Sequence, residues 1–163
     1  MTPQMQQTIQ NVLSYFELLE LEIDDIHETP ESLDKQDQTW ILFSQIDTNI
    51  GILRIAVMVQ PQKTIAYAFH PLVVVKPSLP IAMQFVTRAN FGLPLGKFEL
   101  DVDTGDLRFS SGREQEHVFS VSEIANLVDN SLGILCHYHT PLIECLFNQV
   151  PAVEAILRAE TSL

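Results

Sequence analysis

The sequence predicts an α+β domain: an antiparallel sheet flanked by helices, in the order helix, strands, helix, hairpin, helices. Three observations predict it. Apolar residues recur every three or four positions near the N-terminus, around residue 85 and again after residue 120, as on helices buried along one side. Between these segments the period drops to two, in runs of β-branched and aromatic residues. The links joining those runs are short, which favours antiparallel neighbours, since a parallel crossover needs a dozen or more residues.

Thr2-Pro3 opens the first helix, with a hydroxyl cap followed by a proline whose missing N–H is not needed there. Met5, Ile9, Val12, Phe16 and Leu19 form its apolar stripe. A polar, acidic stretch from Glu28 to Gln38 follows, preceded by a short strand near Ile23 to Ile26. Strands are expected at Trp40–Phe43, Ile52–Val59 and Thr64–Phe69, with turns at Asp47-Thr48-Asn49 and Gln60-Pro61-Gln62. Ser78 caps a second helix to Phe91, on which Ile81, Phe85, Arg88 and Ala89 share a face. Phe98, Leu100 and Val102 then alternate with polar residues, Asp103-Thr104-Gly105-Asp106 turns the chain, and Leu107 and Phe109 resume the alternation. Gly105 supplies the positive φ of that turn. Ser120 or Ser122 starts a long helix, and Pro151 a short last one. No repeat, low-complexity tract or long linker divides the chain, so residues 1–163 read as one domain.

Composition narrows the function. The chain of 163 residues is 46% hydrophobic and 18% charged, which suits a folded core. Nine Lys plus Arg against 21 Asp plus Glu give a net charge of −12. The basic residues are scattered, so neither nucleic acid nor an anionic membrane surface is an expected partner. With no basic segment leading into an apolar one at the N-terminus, and no apolar run near 20 residues, a cytoplasmic protein with reduced thiols is the expectation.

Chemistry-bearing residues concentrate in LCHYHTPLIEC, Leu135 to Cys145. On a helical wheel started at Ile124, residues Val128, Ser131, Leu135, Tyr138, Leu142 and Leu146 lie within about 40°. His137 and Glu144 fall on the opposite, wet side, and His139 and the two cysteines flank the stripe. Only Cys136 and His139 have the three-residue spacing that converges on one ion. Cys136 and Cys145 lie on opposite sides of a continuous helix, although Pro141 invites a break. The stretch therefore reads as a helix side with a core-edge cysteine and a surface histidine, with no metal, cofactor or catalytic residue assigned. A metal- or small-ligand-binding enzyme centred on Cys136, His137 and His139 is the alternative, and it requires them to meet His70 or His117 in a pocket. His27, His70 and His117 stand alone in the sequence, and Asp24-Asp25 reads as a solvated acidic patch. Asp101 to Asp106 fails the calcium-loop pattern, because Gly105 and Asp106 occupy its fifth and sixth positions.

The segment RANFGLPLGKFELDVDTGDLRF, Arg88 to Phe109, resembles the central motif of the YbjN-type family, whose fold is similar to that of type III secretion chaperones. The matching features are Arg88-Ala89-Asn90 at a helix end, Gly96, Phe98-Glu99-Leu100-Asp101, Gly105 and Leu107-Arg108-Phe109. The likeness continues through Ser122–Leu146 and Pro151–Ile156. The motif residues Arg88, Asn90, Gly96, Phe98, Asp101 and Gly105 are expected to be structural: Asn90 ends its helix, Gly96 admits a tight entry to the hairpin, and Asp101 and Gly105 shape its turn. The resemblance implies a small non-enzymatic protein-binding module, chaperone-like or regulatory, that forms a homodimer and binds a further protein.

Overall fold

The computed structural model describes residues 1–29, 38–114 and 117–161. The expected polar stretch Glu28–Gln38 lies mostly outside them. Thr2 Oγ1 accepts the Met5 N–H and begins α1 (Pro3–Leu18), whose buried residues are Met5, Thr8, Ile9, Val12, Tyr15 and Phe16. Leu19 leaves the stripe, because the helix ends one residue earlier and Leu19 is its C-cap.

Four strands then form a meander: β1 (Ile23–Glu28), β2 (Trp40–Thr48), β3 (Gly51–Val59) and β4 (Lys63–Phe69). Helix α2 (Leu79–Gly92) follows a single 3-10 turn at Lys76–Ser78. That turn already holds Ser78 in helical geometry, so its side chain makes no cap, contrary to expectation. Ala82, Phe85 and Ala89 form the buried face of α2. Arg88, expected beside Phe85, points to solvent instead. The hairpin is β5 (Lys97–Leu100) and β6 (Leu107–Glu114), and α3 (Val121–Phe147) and α4 (Ala152–Glu160) complete the chain. Val102 lies in the connection and not in β5, because the turn is longer than expected and runs from Asp101.

All strands are antiparallel, in the order β1-β2-β3-β4-β6-β5. The α+β architecture expected from periodicity is thus the observed one. The helices cover one face of the sheet, where Leu42, Leu53, Ile55, Val57, Leu107 and Phe109 are buried. Phe85 and Tyr138 meet Phe98 edge-on at 6.3 and 5.5 Å between centroids, and Phe98 meets Phe109 at 5.0 Å. Each such pair adds about 1 kcal/mol beyond its buried area. On the opposite face Arg54 lies over Phe43 at 4.0 Å and Arg108 over Tyr67 at 4.3 Å. Glu99 fixes Arg108 in place, 2.7 Å from its Nε.

Helix α3 starts with a capping box between Ser120 and Glu123. The backbone and side-chain hydrogen bonds of Ser120, with His117 beside it, hold the Glu123 carboxyl at a pKa of about 2. The helix passes Pro141 unbroken: the proline is buried, and it costs the ladder only the bond its N–H would have given.

The two glycines with most at stake point in opposite directions. Gly105 has φ +82°, and a Cβ there would collide with the Val74 carbonyl, whose own N–H donates to Gly105 O at 2.8 Å. Gly133 sits in α3 with nothing within 4 Å of an added Cβ. Gly105→Ala is therefore expected to lower unfolding free energy by about 3 kcal/mol, and Gly133→Ala to raise it by about 1 kcal/mol. Urea unfolding of both variants checks the opposite signs.

Candidate functional site

Helix α3 sends the side chains of LCHYHTPLIEC to different surroundings. His137 is not on a wet face, because α4 packs against that side and His137 Nε2–H donates to Ala159 O at 3.0 Å. Cys145 is buried, and burial followed by the neighbouring Glu144 charge pushes its thiol pKa up, away from a nucleophilic thiolate. Cys136 packs half-buried at the edge of the core, and both cysteines are free thiols. Cys136, His137 and His139 do not converge. Among the described residues, no three His, Cys, Asp or Glu side chains gather where an ion could sit.

One histidine contact is real. His70 follows β4 directly, and its Nε2 lies 2.9 Å from His139 Nδ1, the rings stacked at 26° and 5.1 Å apart. His70 therefore does not stand alone. Leu72 N–H donates to His70 Nδ1 at 3.1 Å, so His70 carries its proton on Nε2 and donates to His139. His139 must then be the Nε2–H tautomer, and both rings are neutral. His70 is 7% exposed. Its burial, then the nearby His139, lower its pKa from 6.5 to about 4, and burial lowers that of His139 too. The remaining histidines are paired locally: His27 with Asp25 at 2.6 Å and His117 with Glu123 at 2.9 Å.

Asn90, Gly96 and Asp101, expected to be structural, make local contacts. Asn90, still inside α2, does not end its helix: its Nδ2–H donates to Phe98 O at 2.9 Å, and Phe98 N–H donates to its Oδ1 at 2.7 Å. The side-chain amide thereby acts as a neighbour strand for β5. Gly96 has φ +75°, and a Cβ there would strike Ser110 O and the Phe109 ring. Asp101 Oδ1 accepts the Asp103 and Thr104 N–H groups at 2.9 and 3.2 Å, which closes the turn and holds its carboxyl pKa down. These contacts leave Asp101 a turn-former.

What sequence reasoning missed is a groove between α2 and α4. It has a volume of about 740 Å³ and is lined by Pro80, Met83, Thr87, Arg88, Phe91 and Val153, with shorter contributions from Gln84, Pro151 and Ala152. Phe91 is 90% exposed, Met83 51% and Val153 57%. Large apolar side chains rarely stand so far into water without a partner surface. None of the chain's 21 carboxylates lines the groove among the described residues, and Arg88 makes no ion pair there. A sequence signal existed: Met83, Thr87 and Phe91 recur every four residues on the side of α2 opposite Phe85.

The histidine pair makes stability pH-dependent in a defined sense. Its folded pKa values lie below the unfolded value, so the stabilisation is complete above pH 6.5 and fades as pH falls toward about 4. Between pH 7 and 5 the wild type is expected to lose about 2 kcal/mol by urea unfolding. That window lies above the range where Glu99, Asp101 and Glu123, all with lowered pKa values, take up protons. His70→Asn should flatten the slope; an unchanged slope would refute the assignment.

Set against known proteins, the chain matches no family model, no curated protein and no solved structure.

Proposed function

We propose that the chain is a non-enzymatic protein-binding module of the cytoplasm, chaperone-like or regulatory, that works as a small acidic homodimer. The groove between α2 and α4 carries this reading: it is contiguous, apolar, exposed and, among the described residues, free of carboxylates in a chain of net charge −12. Two such chains repel each other, and at this face a second copy meets no carboxylate of the described residues. The self-complementary contact of a two-fold dimer asks for a patch of this kind. The resemblance of Arg88 to Phe109 to the YbjN-type family supports the same reading.

The alternative, an enzyme around Cys136, His137 and His139, has less behind it: His139 meets His70, but His137 turns to Ala159 O, and among the described residues no three potential ligands gather. Among the described residues no helix is long and apolar enough to cross a membrane.

Sedimentation equilibrium at micromolar concentration tests the proposal. The wild type is expected at twice the chain mass, and Phe91→Asp at the monomer mass with an unchanged circular dichroism spectrum, since Phe91 contributes little to the core. A monomeric wild type would sink the dimer.

A further inference from the structure

The two ends of the sheet close differently. At one end, β1 is exposed throughout and carries Asp24, Asp25 and Glu28, charges that discourage another strand from pairing. At the other, Asn90 occupies the outer edge of β5 at Phe98. Yet β5 covers only part of its neighbour: it pairs with Leu107–Ser110 of β6, and its first residue, Lys97, stands opposite Ser110. Strand β5 begins at Lys97: Gly96 has φ +75°, which turns the chain away toward α2, and it lies close enough to β6 that an added Cβ would strike Ser110 O.

Residues Ser111–Glu114 of β6 are therefore paired with β4 on one side and, among the described residues, with no strand on the other. Every second residue of that stretch directs both its N–H and its C=O into the gap. A depression lies on each side of the same edge. One, of about 400 Å³, is lined on the outer face by Lys63, Ile65, Lys97, Ser110 and Glu114; the other, of about 210 Å³, by Leu95, Asn126, Leu127 and Asn130 on the helix side. Gly96, Gly112 and Arg113 belong to both. Three of the chain's nine cations thus meet at one slot. Lys97 is engaged by Glu99 at 2.9 Å, whereas among the described residues Arg113 and Lys63, which stands opposite Glu114, make no ion pair.

The structure assigns this slot as a strand-addition site for an extended, acidic segment of a partner protein. The segment's backbone takes up the free N–H and C=O groups of β6 in line with β5, its side chains alternate into the two depressions, and its carboxylates face Lys63 and Arg113. This rests on the protein-binding reading above but uses a surface separate from the α2/α4 groove.

The test is an NMR titration of the full chain, labelled with nitrogen-15, with a peptide of about six residues alternating Glu and Val. Saturable amide shifts are expected at Gly112, Arg113 and Glu114, and slowed hydrogen exchange at Gly112 and Glu114, whose N–H groups face the gap. Affinity should fall roughly fivefold in Arg113→Glu, and fall again with added salt. N-methylation of alternate peptide residues should abolish the shifts, because it removes the strand's donors. The exposed Lys63→Glu provides a second variant should Arg113→Glu fail to fold. Equal binding by the N-methylated peptide, or by one with Lys in place of Glu, would overturn the assignment, and so would shifts confined to Met83, Phe91 and Val153. If the wild type dimerises but Ser111–Glu114 does not respond, the slot alone fails. If the slot responds in a monomeric wild type, the slot stands and the dimer fails.

Discussion

The close seating of α3 on β4 and β6 is the contact on which the other layers depend. It is possible because the facing residues are small: Ala66 and Ala68 on β4, Ser111 on β6 and Ser131 on the helix are all buried. Ser111 Oγ donates to Leu127 O at 2.7 Å and lies 2.8 Å from Ser131 Oγ, which also has Ala66 O within 3.2 Å. Leaving such a hydroxyl unpaired would cost about 1–3 kcal/mol, so this hydrogen-bonded cluster fixes where along the sheet the helix can rest. Helices α1, α2 and α4 each pack against α3, and their placement follows from its own.

Among the described residues, the far side of the sheet carries no second layer of helices. Phe43, Tyr67 and Phe69 lie side by side there, and the Arg54 and Arg108 guanidinium groups cover them. Guanidinium is weakly hydrated and lies flat on aromatic rings, so it shields apolar surface while remaining wet at its rim. Glu99 supports this cover by holding Arg108. The arrangement explains why an open sheet face rich in aromatics coexists with a single packed core on the other side.

Local order was legible in the residues, and long-range order was not. The strand at Thr64–Phe69, the hairpin turn at Gly105 and a helix start at Ser120 or Ser122 follow from spacing and turn chemistry within a few residues; the strand and turn stand in the structure, and Ser120 is the cap. The meeting of His70 with His139 joins residues 69 apart, and no local period encodes it. His137 was misplaced for the same reason: a wheel drawn on α3 alone knows nothing of α4. Asn90 shows a subtler failure, because an asparagine near a helix end has a common capping role, and its real partner at Phe98 depends on how the chain returns. Of the candidate site, the half-buried place of Cys136 at the core edge follows from the helical wheel. The groove draws on the exposed side of α2 and on α4, whereas helical periodicity marks the buried side, Ala82, Phe85 and Ala89.

The strand order has a consequence for how the chain reaches this structure. Strands β1 to β4 pair with sequence neighbours through short turns, except for the longer link between β1 and β2. Strand β6 instead pairs with β4, matching Phe69 to Arg108 and Lys63 to Glu114, after α2 and β5 have intervened. The entropy of closing that loop must be met before any of its contacts exist. The meander can thus assemble early, while the right-hand half of the sheet waits for β6 to find β4. Until then β4 is itself an open edge, so the kinetic hazard of this fold, intermolecular pairing during refolding, is concentrated on Lys63–Phe69.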